Sequence, residues 1–246
     1  MAERTMSISI LLRCPMTEHR GVVGANEHVN WMHEQVPCDL VIATSSDDIM
    51  MPERVEKTVE AYEKHKPSFI LTKQAFYYPD LDNYKFSACD KPEGFLTTLD
   101  MYPGRVGGSS SSAWDYRFYM DIGGLHGVVG ADVYLPYIAS LMNGVYWLPE
   151  PLHTYMCYAD DDNMGLEGRM RKAKDDNDDV KLLQLHELAH YHLSSMLMST
   201  AKKACEFPVW SEEAQVALNN EITMQFHGLL KTRDEMSIRR IQPMML

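Results

Sequence analysis

Asp39-Leu40-Val41-Ile42-Ala43-Thr44-Ser45-Ser46-Asp47-Asp48 is the stretch that decides the fold. Asp39 to Thr44 is a short, nearly continuous apolar run, the pattern of a strand buried on both faces. It passes directly into two serines and two aspartates. Pro52 then opens a helix, with Val55, Val59 and Tyr62 on one face at i, i+4 and i+7. Pro67 ends that helix, and Ser68 to Thr72 reads as a second strand. Strand, helix, strand in this order predicts a parallel α/β sheet.

On the N-terminal side, Ser7 to Leu12 is β-branched and apolar, and reads as another strand. Gly21 to Met32 reads as a turn followed by a helix. On the C-terminal side, Tyr77 to Pro103 has no clear period and several prolines, the mark of a long loop with short elements. Gly107 to Ser112 has linker composition, but structured sequence flanks it closely. Ala113 to Ile122 and Asp132 to Met142 read as helices, with Gly144 stopping the second. Val145 to Leu148 and Leu152 to Tyr158 read as extended. Aspartates from Asp160 to Asp162 and from Asp175 to Asp179 bracket a polar hinge. Beyond it, Val180 to Cys205 reads as one long amphipathic helix. Ser211 to Lys231 reads as another, capped by Ser211. The expected division is an α/β domain over 1–165 and a helical C-terminal extension over 166–246.

The 246 residues are 45% hydrophobic, enough to build a core without staples. With 23 basic and 35 acidic residues the net charge is −12, which argues against a surface that grips phosphate backbones. Cys14, Cys38, Cys89, Cys157 and Cys205 are scattered, odd in number and without a C-x-x-C pair. They read as free thiols in a reducing compartment. No apolar run approaches the length that crosses a bilayer, so the expectation is a cytoplasmic protein.

Ligands of open α/β sheets bind outside the C-terminal ends of the strands, and Asp47 and Asp48 follow such an end. Two carboxylates there can hold a hard divalent cation, manganese or magnesium, that bridges a diphosphate. The same pair is also ordinary turn or cap chemistry. Asp132 opens a helix, where the dipole favours an anion. Kept ionised, it can take a proton from an acceptor hydroxyl, or it can simply cap its helix. Arg117 can meet a phosphate, or pair with Asp115 or Asp121.

The order of these segments resembles the family-two glycosyltransferases, which transfer sugars from nucleoside diphosphate donors and have the A-type fold. Gly21, Ala25 and Asn26 resemble the family's helix start. The strand, Ser46-Asp47-Asp48 and Met51-Pro52-Glu53-Arg54-Val55 resemble its metal motif and the proline-opened helix after it. Gly108-Ser109-Ser110, Arg117 and Ile122-Gly123-Gly124 resemble the segment leading to its acceptor side. Gly130-Ala131-Asp132 falls where the family has its catalytic base. Gly144, Leu148-Pro149-Glu150-Pro151-Leu152 and Tyr155 resemble its closing motif.

The resemblance implies an A-type core with a mixed, mostly parallel sheet flanked by helices. It implies a nucleotide-sugar donor bound through Ser46, Asp47, Asp48 and Arg117, a metal on Asp47 and Asp48, and Asp132 as base in an inverting transfer. The family's first metal-motif aspartate is Ser45 here. Met156 and Tyr158 stand in place of its closing arginine and histidine. The family also carries a base-binding unit ahead of the position of Gly21, where only twenty residues precede. The expectation is therefore a truncated core, with a second chain covering the sheet edge, or a non-catalytic partner derived from a transferase.

A competing motif is His186-Glu187-Leu188-Ala189-His190, which fits H-E-x-x-H. On a helix, His186 and His190 share a face and can bind zinc, with Glu187 as the base of a metallopeptidase. Histidines on a half-exposed helix are the alternative.

Overall fold

Leu40, Val41, Ile42 and Ala43 are all buried, as an apolar run without alternation requires when side chains cover both faces of a strand. The computed structural model describes residues 6–13, 25–87, 89–97, 100, 109–128, 131–142, 144–157 and 166–204, with 216, 219, 220, 223, 227 and 231. Its strands are β1 (Ile8–Arg13), β2 (Leu40–Ser45), β3 (Ile49–Met50), β4 (Phe69–Tyr78), β5 (Asn83–Phe86), β6 (Gly94–Leu96), β7 (Ser112–Asp115) and β8 (Val145–Met156). Its helices are α1 (Ala25–Gln35), α2 (Arg54–His65), α3 (Tyr116–Asp121), α4 (Ala131–Leu141), α5 (Leu166–Asp175) and α6 (Asp179–Ala204).

The strands form one mixed sheet in the order β1-β2-β7-β4-β8-β3, with β5 on β4 and β6 on β8. β1 pairs parallel with β2, and β4 parallel with β8. β7 is antiparallel to both β2 and β4. Strands β1, β2, β4 and β8 therefore run one way and end at one edge of the sheet.

Side chains alternate between two cores, as the two-residue period of a strand requires. Val41, Ala43, Phe69, Leu71, Trp114, Val145 and Trp147 pack with α3, α4 and the turn that follows α3. Leu40, Ile42, Ile70, Ala113, Tyr146 and Leu148 face Val55, Val59, Ala61 and Tyr62 of α2. Helix α6 belongs to the first layer. Ala201 packs against that core, and Ser199 Oγ lies 3.5 Å from the Gly127 carbonyl.

The structure corrects two readings of the sequence. Ala113 to Ile122 is not one helix, because Ser112 to Asp115 pairs on both edges, and this pairing overrides local pattern. Asp115 then caps α3 through the Phe118 N–H at 2.8 Å. β2 and β4 run parallel, as expected, with β7 between them. The two extended pieces expected around Pro149 and Pro151 are one strand, joined across a bulge opposite Thr72 to Gln74. The Gly/Ser run is not a linker in its described part, for Ser110, Ser111 and Ser112 are buried. Cys38 and Cys89 are free thiols. Cys14, Cys205 and most of the helix expected over Ser211 to Lys231 lie outside the described residues.

One polar knot ties α1 to the turn after α3. Buried Asn30 accepts hydrogen bonds from the Tyr119 hydroxyl at 2.7 Å and the Leu125 N–H at 2.8 Å. Gly124 makes room for it: its φ is +64°, and a Cβ there would meet Asn30 Oδ1 at 2.5 Å. Asn30→Ala strands two buried donors, so urea unfolding should show a loss of about 2–3 kcal/mol.

Candidate functional site

The shared edge where β2, β4 and β8 end gathers the acidic turn. After Ser45 the chain turns back, with the Asp48 N–H on the Ser45 carbonyl at 3.4 Å. Ser46 and Asp47 stay exposed. Asp48 turns inward until its side chain is 1% exposed. Strand β3 then pairs with the far half of β8, Ile49 opposite Thr154 and Met50 opposite His153. That pairing sets Asp48 beside β8. One carboxylate oxygen, Oδ1, accepts the Met156 N–H at 3.2 Å. The other, Oδ2, lies 3.3 Å from Nε2 of His153, whose side chain is fully buried.

This second contact is close but not aligned as a hydrogen bond. Asp48 Oδ2 and both ring nitrogens of His153 have no hydrogen-bond partner among the described residues. Burial resists ionisation of Asp48. The His153 ring, the Ser110 hydroxyl and the Met156 N–H more than offset it, and hold the carboxyl below its usual range. Burial pushes the His153 imidazole below its usual range, against the pull of Asp48. The pair is therefore a carboxylate beside a neutral imidazole rather than an ion pair.

Those are the protonation states of metal ligands. Ligand bonds of about 2 Å at near right angles separate two donor atoms by roughly 3 Å. Orphaned buried donor atoms at 3.3 Å, with exposed Asp47 next in the chain, fit a small divalent cation. Among the described residues no group of three His, Cys, Asp or Glu side chains is assembled for one. Further ligands would have to come from water or a bound diphosphate.

Tyr155 locates the remaining carboxylate. Burial is the main force raising its phenol above the usual range, followed by the charges of Asp48, Cys157, Asp47 and Asp132. All three carboxylates singled out in the sequence thus act on one phenol. Asp132 is exposed in the first turn of α4. No hydrogen bond or ion pair engages it among the described residues.

Arg117 does not join this group. β7 runs antiparallel to β2, so its C-terminal end, and α3 after it, lie at the opposite edge of the sheet. There Arg117 lines a cavity with Asp39, Lys66 and Ser68. His186 is exposed on α6 and Glu187 half-buried, while the side chain of His190 lies outside the described residues.

His153 was not singled out by pattern, and Ser110 and Arg54 entered only as members of longer segments, with no role of their own. The family's closing histidine corresponds to Tyr158, but the histidine beside Asp48 is His153, which follows Leu152 directly. Arg54 is wholly buried beneath the site and donates from Nη2 to the carbonyls of Ala43 at 2.7 Å and Ser112 at 3.2 Å.

No protein-family model matches the chain, and no curated protein matches it in sequence. Among solved structures, S. aureus TarS 1-349 is similar, with a TM-score of 0.44 and 14% identity over 87% of this chain and 63% of that one. TarS 1-349 in complex with UDP-GlcNAc gives 0.41 and 12%, over 84% and 62%. In complex with UDP it gives 0.42 and 12%, over 91% and 72%. The chain thus spans less than two thirds of the TarS fragment in the first two of these structures.

With few protein ligands in place, manganese should bind weakly alone and more tightly with a nucleoside diphosphate present. Calorimetric titration against a panel of nucleoside diphosphates should show at least a tenfold gain with one of them, and His153→Ala should remove the gain. Tight manganese binding without nucleotide, unchanged in Asp47→Ala and His153→Ala, would place the metal elsewhere.

Proposed function

We propose that the chain transfers a sugar from a nucleoside diphosphate donor to an acceptor hydroxyl, with inversion at the anomeric carbon. What supports the reading is that Asp48, buried beside His153, and exposed Asp47 follow the end of β2, with Asp132 within electrostatic reach of Tyr155 on β8. Strand ends of an open α/β sheet are where such ligands bind, and the order of segments resembles that of family-two glycosyltransferases.

Asp47, Asp48 and His153 would hold a manganese or magnesium ion. When bound, that ion would neutralise the charge of the departing diphosphate. Asp48 and His153 are fixed by burial, and Asp47 stays open to the ligand. Asp132 is exposed in the first turn of α4, with no hydrogen bond or ion pair among the described residues. It accepts the proton of the acceptor hydroxyl as that oxygen attacks the anomeric carbon. The bond from that carbon to the diphosphate oxygen breaks, and the diphosphate leaves with the electron pair. Burial keeps Tyr155 protonated.

No helix among the described residues is long and apolar enough to cross a membrane, and the proposed setting is the cytoplasm. Among the described residues β1 is the last strand on its side of the sheet. A second chain would add there, where backbone groups are open to pairing.

The test is turnover of a panel of nucleoside diphosphate sugars, read as release of nucleoside diphosphate. Asp132→Asn should lower turnover about 10²–10⁴-fold while donor affinity stays within about twofold. If no donor binds, or if Asp132→Asn turns over as fast as the parent, the assignment fails.

A further inference from the structure

At the opposite edge of the sheet a cavity of about 440 Å³ lies between the starts of β2 and β4 and the end of β7. Its lining includes Asp39, Tyr62, Lys66, Ser68, Arg117 and Asp121. The edge is built from chain ends that the fold fixes. Helix α2 stops at Lys66, whose backbone is left-handed (φ 49°) and whose N–H returns to the Tyr62 carbonyl. The same residue sets its ammonium over the Tyr62 ring, 4.8 Å from the centroid. Arg117 stands in the first turn of α3, behind the cap made by Asp115.

The charges in this cavity divide into engaged and unengaged groups. Asp39 Oδ2 accepts from the Ser7 N–H at 2.9 Å and the Ser7 hydroxyl at 3.1 Å. Asp115 accepts from the Phe118 N–H and from the Tyr62 hydroxyl. Burial, then Asp115, keeps the Tyr62 phenol protonated for that purpose. Two of the three lining carboxylates are thus committed within the protein. Arg117 makes no hydrogen bond or ion pair among the described residues. Asp121, one turn further along α3, is exposed and likewise unengaged. Ser68 lines the same cavity at 1% exposure, and its Oγ has no hydrogen-bond partner. A buried hydroxyl without a partner is costly unless a ligand or water meets it.

We propose that this cavity is a second ligand site, separate from the acidic strand edge, for a small hydroxylated molecule bearing one phosphate or carboxylate group. Arg117 and Lys66 meet the oxyanion. Asp121 and Ser68 meet hydroxyls. The volume falls within the range of small-molecule sites and excludes a polymer. The two sites lie at opposite ends of β2 and share no side chain, so the inference stands apart from the proposed transferase reaction.

The probes are glycerol 3-phosphate and glycerate, which carry comparable hydroxyls and differ in the oxyanion. Each is titrated calorimetrically into the full chain and into Arg117→Ala, Lys66→Gln and Asp48→Asn, with thermal unfolding to confirm that each variant is folded. At least one probe should saturate a single site, and the stronger of the two identifies phosphate or carboxylate as the preferred group. Arg117→Ala and Lys66→Gln should each weaken that binding at least tenfold, while Asp48→Asn leaves it within twofold. Absence of saturable binding by both probes would overturn the proposal. So would binding unchanged in Arg117→Ala and Lys66→Gln, or binding lost in Asp48→Asn.

Discussion

A buried guanidinium sets the geometry of the acidic edge. The ladder between β2 and β7 ends at Ile42 opposite Ala113. One step further on, the Ala43 and Ser112 carbonyls both receive Nη2 of Arg54. The charge therefore takes over where strand pairing stops, and it fixes the last turn of β2 against the serines before β7. Burial lowers the guanidinium pKa to about 10, with Asp48 opposing that shift, so it stays charged at neutral pH. Asp48 in turn sits in a pocket where that charge helps it remain a carboxylate. Removing Asp48 would take away the one charge that opposes the burial of Arg54.

The second constraint is the irregular middle of β8. Pro149 and Pro151 have no N–H to give to a ladder. The register with β4 shifts on both sides of Lys73. Downstream of the bulge, His153 and Thr154 pair with β3, and Tyr155 lies opposite Phe76 on β4. The bulge thus sets which residues of β8 reach the acidic turn. His153 meets Asp48, and the Met156 N–H completes the carboxylate. Local disorder of the ladder is converted into placement of donor atoms, a common use of bulges beside functional sites.

Much of this was legible in the chain. β2 and its acidic turn could be read because a strand covered on both faces leaves an uninterrupted apolar run, and Pro52 marks the helix that follows. Asp132 could be read because a carboxylate at a helix start has few physical roles. The rest depends on contacts between distant segments. β7 follows a Gly/Ser run and is only four residues long, so nothing local marks it as the antiparallel centre of the sheet. Its direction is also what sends Arg117 to the opposite edge of the sheet from Asp48. In a strand parallel to β2, the residue after its end would have joined Asp48. His153 had no spacing partner to reveal it, because its partner lies in the turn after β2, far away in sequence. Arg54 looks in sequence like any surface residue of an amphipathic helix, and only the sheet beneath it shows where its charge lies.

The central claim is that Asp48 and His153, joined by Asp47, form the cation end of a diphosphate site facing Asp132. Anomalous diffraction at the manganese edge, from crystals grown with manganese and each of a panel of nucleoside diphosphates, addresses it directly. The account predicts one strong peak ligated by Asp48 and His153, with the diphosphate on its open side and Asp132 across the cleft. A peak on the histidines of α6 instead, or ordered nucleotide at this edge with Asp48 and His153 making no contact to metal, would contradict it.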